Sequence, residues 1–319
     1  MSRRPGDVGS PASTAGSAEV EPAGTWYVLP TAFGRDGALD LSSQGRLVEA
    51  VLAWGADGLV ALGVTGEAAA LDPDERDEVV RTVVAAAGGR APVIVGCAGR
   101  SPHPVRAMAA RARELGAAGV LVLPPLLAQD GRSAPAFFAL VAEAGLPVVI
   151  QDDPAASGVR LPADVLLRAA EACRAAAVKL EDPPTPPKIA ELVAARPGLR
   201  VFGGLGGLHA LAELRSGAVG TMTGFPYPEV LRAVRLALER GDASAAARTF
   251  DRHLPLIAFE AQPGIGIAIR KEVLRRRRVL ASAATRMGGS LDETTLRELD
   301  DVLDRVGIDP SPDPYDGGP

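Results

Sequence analysis

From about residue 28 onward the chain alternates between short, continuously apolar runs and longer segments whose apolar positions recur every three or four residues. Eight such runs occur, at 28–31, 59–63, 93–96, 120–123, 148–151, 176–180, 200–203 and 219–223. A run this short, bounded by turn residues and without alternation, reads as a strand covered on both faces. The segments between them, such as 72–84 and 104–115, carry charges three or four apart, as amphipathic helices do. Buried strands that alternate with helices predict parallel pairing. A recurring joint supports this: Gly55-Ala-Asp-Gly58, Gly116-Ala-Ala-Gly119 and Gly217-Ala-Val-Gly220 each fall between a helix and an apolar run. Glycine just past a helix end takes the left-handed backbone that other residues adopt only at a cost. Eight strand–helix units close an α/β barrel, the (β/α)8 or TIM barrel, since open doubly wound sheets usually have fewer strands.

After the eighth unit the pattern changes. Residues 243–261, 264–278 and 291–306 read as three helices with no strands between them. The expected organisation is a barrel over 25–241 and a C-terminal three-helix extension over 242–309. Residues 1–24 and 310–319 are expected to be disordered tails. The first tail holds Arg3 and Arg4 but no apolar core of a targeting segment, and its Gly, Pro, Ser, Ala and Glu cannot bury enough surface to order it.

Composition narrows the function classes. Aromatics make up 4% of the chain against 47% hydrophobic residues, which predicts an aliphatic core. A net charge of −5 gives no basic footprint for nucleic acid, and no apolar run approaches the ~20 residues of a membrane helix. Cys97 and Cys173 lie far apart in apolar stretches, form no disulfide framework and point to the cytoplasm. Arg275 to Arg278 end a predicted helix, where the macrodipole favours cations; an interface or anion site is the second reading.

Of 34 basic residues only three are lysines: Lys179, Lys188 and Lys271. Lys179 ends the sixth apolar run, at the catalytic face of a barrel. Burial there lowers an amine's pKa and makes it a nucleophile towards carbonyls, which a guanidinium cannot be. The competing reading is a structural lysine paired with Glu181 or Asp182. A second motif, Gly63-Val-Thr-Gly-Glu67, follows the second run; successive backbone N–H groups and a hydroxyl there can hold a carboxylate, or the segment is an ordinary turn.

Together these motifs resemble the dihydrodipicolinate synthase / N-acetylneuraminate lyase family of Schiff-base aldolases, over roughly residues 25–305. Members carry a Gly-x-Thr-Gly-Glu loop after the second strand, matched by Gly63–Glu67. Their imine-forming lysine ends the sixth strand, matched by Lys179. Their glycine at the end of the seventh strand, where the keto-acid approaches backbone, corresponds to Gly203. The resemblance implies a lyase without cofactor or metal, an aldolase or dehydratase acting on a 2-oxo acid such as pyruvate. It also implies a homodimer or homotetramer. Thr65, Gly66, Gln151 and Gly203 are the expected substrate-binding residues.

The departures are specific. Val64 stands where members have Ser or Thr, and Gln151 stands in place of the proton-shuttling tyrosine. Leu123-Pro-Pro-Leu126 lacks the aromatic relay residue, and Ala156 replaces the basic residue that receives the distal carboxylate in the synthases. None of Tyr27, Tyr227 and Tyr315 falls in the shuttle segment. Imine chemistry still needs an acid and a base. By strand parity Gln151 and Asp153 share one face, as do Lys179 and Glu181, so Asp153 and Glu181 are the candidate acid–base groups. The bland alternative has Glu181 and Asp182 capping the following helix. Gly203-Gly-Leu-Gly-Gly207 reads as a plain loop lining the site, with a phosphate cradle as the second reading. His103, His209 and His253 have no metal-like spacing. Two further readings stand beside the lyase: 4-hydroxy-tetrahydrodipicolinate synthase proper, and a catalytically silent barrel that senses a keto-acid.

Overall fold

The computed structural model describes residues 22–128, 130 and 132–308. Eight parallel strands close into a barrel in sequence order: β1 (Gly24–Val28), β2 (Gly58–Ala61), β3 (Val93–Cys97), β4 (Gly119–Val122), β5 (Val148–Asp152), β6 (Ala177–Leu180), β7 (Val201–Gly203) and β8 (Gly220–Thr223). Around them run α1 (Leu41–Ala53), α2 (Pro73–Ala87), α3 (Pro102–Glu114), α4 (Ser133–Ala142), the short α5 (Pro154–Ser157), α6 (Ala163–Ala172), α7 (Thr185–Ala195), α8 (Ala210–Arg215) and α9 (Pro228–Glu239). The extension consists of α10 (Ala243–Glu260), α11 (Gly266–Arg276) and α12 (Glu293–Val306). Residues 1–21 and 310–319 of the two expected tails lie outside the described residues, and Gly24 is already in β1.

The first strand sits four residues earlier than its apolar run suggested. Thr25 N–H finds the Asp57 carboxylate at 2.7 Å, which lets a polar-looking start join the sheet. Leu29-Pro30-Thr31 continues the apolar run past the strand end, where Pro30 has no N–H to give a ladder. Thr31 instead donates its hydroxyl to the Gly66 carbonyl at 2.6 Å. The three repeated joints behave as their glycines demand: Gly55, Gly116 and Gly217 all take φ between 86° and 101°.

Three packed regions hold the fold. Inside the barrel Trp26, Val28, Val60, Ile94, Val149 and Phe202 are among the side chains that fill the axis, with Trp26 and Phe202 edge to face at 5.9 Å. A larger aliphatic layer lies between strands and helices. A third cluster joins Val230, Leu231 and Val234 of α9 to Phe250, Ile257, Ile269, Val273 and Leu303 of the extension, so the extension buries an apolar face of its own against the barrel wall. Each fully buried aliphatic side chain contributes about 1.5–3 kcal/mol. Arg277, one of the four clustered arginines, stacks on Trp54 and Tyr227 and pairs with Glu229 at 2.7 Å, while Arg275 and Arg276 pair with Glu272. No helix among the described residues is long and apolar enough to cross a membrane.

Candidate active site

Val149 and Ala177 point into the barrel, so period-two alternation turns Gln151 and Lys179 inward too, one layer nearer the C-terminal end. The two are direct register partners across β5 and β6. Lys179 is 5% exposed, and its Nζ lies 2.8 Å from Glu181 Oε2. Gln151 Nε2 donates to that same oxygen at 2.7 Å, and the Leu205 N–H donates to Glu181 Oε1 at 3.0 Å. Both oxygens of the carboxylate are therefore held, and one of them touches the amine. The structure brings Lys179, Glu181 and Gln151 together.

Asp153 stands at the rim of this group. Its carboxylate accepts the Ala156 N–H at 3.1 Å and caps α5. Burial first, and the Glu181 charge second, push the Asp153 carboxyl above its ordinary value, opposed by backbone N–H donors and the Lys179 ammonium. Glu181 and Asp182 do not cap the next helix. The residue before α7 is Pro184, with no side-chain bond, and Asp182 binds Arg160 and Lys188.

Residues 64–66 form one 3-10 turn at the same end of the barrel. The N–H groups of Gly66 and Glu67 are used inside it, on the Gly63 and Val64 carbonyls. A turn of this kind leaves its first N–H groups, here those of Val64 and Thr65, outside its own bonding. The Thr65 hydroxyl is buried and has no partner among the described residues. Gly66 contributes space instead, since a side chain there would press on the Leu29 carbonyl at 3.2 Å. Glu67, read from sequence as part of the carboxylate loop, faces elsewhere. It binds Lys271 and the N–H groups of Arg286 and Met287, the latter two at 2.7 Å.

Two glycines follow β7 with opposite neighbours. A side chain on Gly203 would overlap the Glu213 carboxyl of α8, whereas one on Gly204 would overlap the Glu181 side chain. Gly204 is therefore the glycine whose missing side chain makes room for Glu181 beside Lys179. The other lysines are interior as well: Lys188 binds Asp152 at 2.6 Å and Asp182 at 2.9 Å, and Lys271 is fully buried on Glu67. Leu126 and Ala156, two positions of departure, line one cleft of about 540 Å³ at the strand ends, with Arg100 as its cation. Sequence reasoning missed Glu213, a lone acid in an ordinary amphipathic stretch with nothing to distinguish it from a surface residue.

Compared with known proteins, the chain matches the dihydrodipicolinate synthetase family over residues 21–304. It is 37% identical over 272 residues to an L-2-keto-3-deoxyarabonate dehydratase of Azospirillum brasilense, covering 82% of this chain and 87% of that one. It is 34% identical over 254 residues to a 4-hydroxy-tetrahydrodipicolinate synthase of Acidothermus cellulolyticus, covering 77% and 80%. The crystal structure of a dihydrodipicolinate synthase from Rhodopseudomonas palustris superposes with a TM-score of 0.85 at 34% identity, over 89% of this chain and 98% of that one.

Proposed function

The chain belongs to the dihydrodipicolinate synthetase family, and on that premise we propose that it is a lyase removing water from a 2-oxo acid through a Schiff base at Lys179. The observation that carries the reading is the Lys179 amine, inside the barrel mouth and 2.8 Å from the Glu181 carboxylate. Glu181 can take a proton from the ammonium, which frees the lone pair to attack the C2 carbonyl. The carbinolamine then loses its hydroxyl as water and becomes an imine. A protonated imine acidifies the neighbouring C3–H, and a carboxylate, Glu181 or Asp153, removes that proton. The C4–O bond breaks as the C3–C4 double bond forms, so a proton and a hydroxide leave together as water. Hydrolysis of the product imine restores the amine. The Thr65 hydroxyl and the first N–H groups of its turn are the donors for the substrate carboxylate, and Gln151 orients Glu181.

The dehydratase named among the relatives supports loss of water over aldol cleavage. Relatives named as synthases support a condensation instead, but Val64, Leu126 and Gln151 cannot relay a proton and Ala156 carries no charge for a second carboxylate. Two measurements decide. Incubation with pyruvate and borohydride should add the reduced pyruvyl mass to the peptide holding Lys179; an adduct on Lys188 or Lys271, or none, would overturn the Schiff-base reading. Incubation with 2-oxo-3-deoxy sugar acids should show loss of one water by mass. Rapid turnover of pyruvate with aspartate semialdehyde would make the protein a synthase, Arg100 then supplying the charge that Ala156 lacks. An adduct with no turnover of any 2-oxo acid would make it a keto-acid sensor.

The same reading includes a homodimer or homotetramer in the cytoplasm. Leu126 and Leu127 are 58% and 74% exposed, an uncovered apolar pair beside the barrel mouth, and the two cysteines are unpaired thiols.

A further inference from the structure

Glu213 lies on α8, behind β7, and is completely buried. Its Oε1 accepts the Thr185 hydroxyl at 2.6 Å, and its Oε2 is buried with no partner among the described residues. That orphan oxygen occupies the space a Gly203 side chain would need, just as Glu181 occupies the space of a Gly204 side chain. Two consecutive glycines thus face two carboxyl groups, Glu213 from the helix layer and Glu181 from the site. The other face of α8 packs through Ala210, Leu211 and Leu214 into the apolar cluster of the extension. Arg215, on the same helix, turns away to the Ala243 carbonyl, and His209 precedes the helix. The groups that bear on Glu213 are Thr185, from the start of α7, and Glu181, with Lys179 beyond it.

We infer that Glu213 is a positioning residue for the Lys179–Glu181 pair: held neutral behind Gly203, it adds no further negative charge beside the Glu181 carboxylate that meets the amine and the Asp153 carboxyl at its rim. The inference rests on the reading of Lys179 and Glu181 given above. An ionised carboxylate with one oxygen lacking a donor is costly in a dry interior, whereas the neutral acid is tolerated. Burial, with the Glu181 charge adding to it and the Thr185 bond opposing, pushes the Glu213 carboxyl up to about 7. Loss of its proton would set a further negative charge beside Glu181. Two carboxylates this close repel, and together they hold the lysine as ammonium, which cannot attack a carbonyl.

The test follows the amine directly. Pyruvate trapping by cyanoborohydride is measured against pH in wild type, Glu213→Gln and Thr185→Val. Glutamine stays neutral at every pH, so the ratio of trapping rates, Glu213→Gln over wild type, should rise on the order of tenfold between about pH 5 and pH 9. Thr185→Val removes the one donor that favours the ionised form, so Glu213 should keep its proton to higher pH and the ratio of Thr185→Val to wild type should also rise with pH. Infrared difference spectra should show a buried neutral carboxyl band at about pH 6 that Glu213→Gln lacks. Trapping profiles that superimpose in all three proteins would overturn the role of Glu213 while leaving Lys179 as the nucleophile. Absence of trapping in wild type, with the infrared band intact, would overturn the Lys179 reading and this role with it.

Discussion

Lys271 and Glu67 stand 204 residues apart in the chain and meet as an ion pair with both side chains wholly buried. Glu67 closes the turn that carries Thr65, and Lys271 lies on α11 of the extension. The same carboxylate also takes the Arg286 and Met287 N–H groups. Burial lowers the Lys271 amine from its ordinary value, with the Glu67 bond opposing. The extension therefore fixes a loop of the candidate site.

Removal of one partner from such a pair strands the other charge in the interior. Lys271→Met should destabilise the protein by about 3–5 kcal/mol in urea unfolding. It should also raise KM for the 2-oxo acid more than it lowers kcat, because the turn bearing Thr65 loses its anchor. A stability loss below about 1 kcal/mol would mean that Glu67 is held by its backbone donors alone.

Lys179→Arg keeps the charge but removes the nucleophile, since guanidinium stays protonated at any usable pH. Activity and trapping should both vanish. Glu181→Gln should lower kcat by about 10²–10⁴-fold because it cannot take a proton. Asp153→Asn separates the two carboxylates. If both amide variants retain full kcat, water or substrate groups move the protons and the carboxylate assignment is wrong.

The paired glycines give opposite outcomes. Gly204→Ala pushes directly on Glu181 and should cost activity at least about 10²-fold, in line with the loss of a positioned acid–base group, while the fold survives. Gly203→Ala pushes on Glu213 and α8 instead, so it should lower the melting temperature. Steady-state kinetics beside thermal melts separates the two; equal effects of both variants on both measurements would remove the distinction.

Stability should fall as pH rises through the weakly acidic range. Burial raises Asp152 to about 6, and raises Glu213 and Glu260 to about 7. Between the ordinary carboxylate values near 4 and these raised ones, the folded protein keeps protons that the unfolded chain has released. Each group's contribution therefore declines through that window and levels off above about 7. Melting temperature should be at least about 2–4 °C higher near pH 5 than near pH 8, and Glu213→Gln should flatten the dependence. A flat wild-type profile would contradict the raised carboxyls.

Light scattering at micromolar concentration should report a homodimer or homotetramer. Leu127→Asp, placed on the exposed pair, should shift the protein towards monomer. A wild-type monomer would leave Leu126 and Leu127 without a subunit to cover them.

The eight strands were legible because parallel strands buried on both faces leave uninterrupted apolar runs, and only β1 was misplaced, where the run outlasts the ladder. That Lys179 and Gln151 face one way was legible because strand parity is local and two neighbouring strands carry them, with Glu181 directly after the second. Glu67 and Lys271 were not, since nothing in either segment announces a partner 204 residues away. The Glu213 carboxyl behind Gly203 was not legible for a similar reason. Alternation says which face a residue takes, but not that α8 would bring a carboxyl up behind it.

All three lysines end in the interior, with side-chain exposures of 7%, 12% and 0% for Lys179, Lys188 and Lys271. The outer surface of the barrel and its extension is thus a lysine-free skin, with arginine as its cation. Arginine does not acylate under conditions that label amines, and it accepts no ubiquitin through an amine. A lysine-directed label applied to the native protein therefore meets only mostly covered side chains, Lys188 on α7 and Lys179 in the barrel mouth being the two that are partly exposed. Such a reagent reports on the interior of this molecule, not on its periphery.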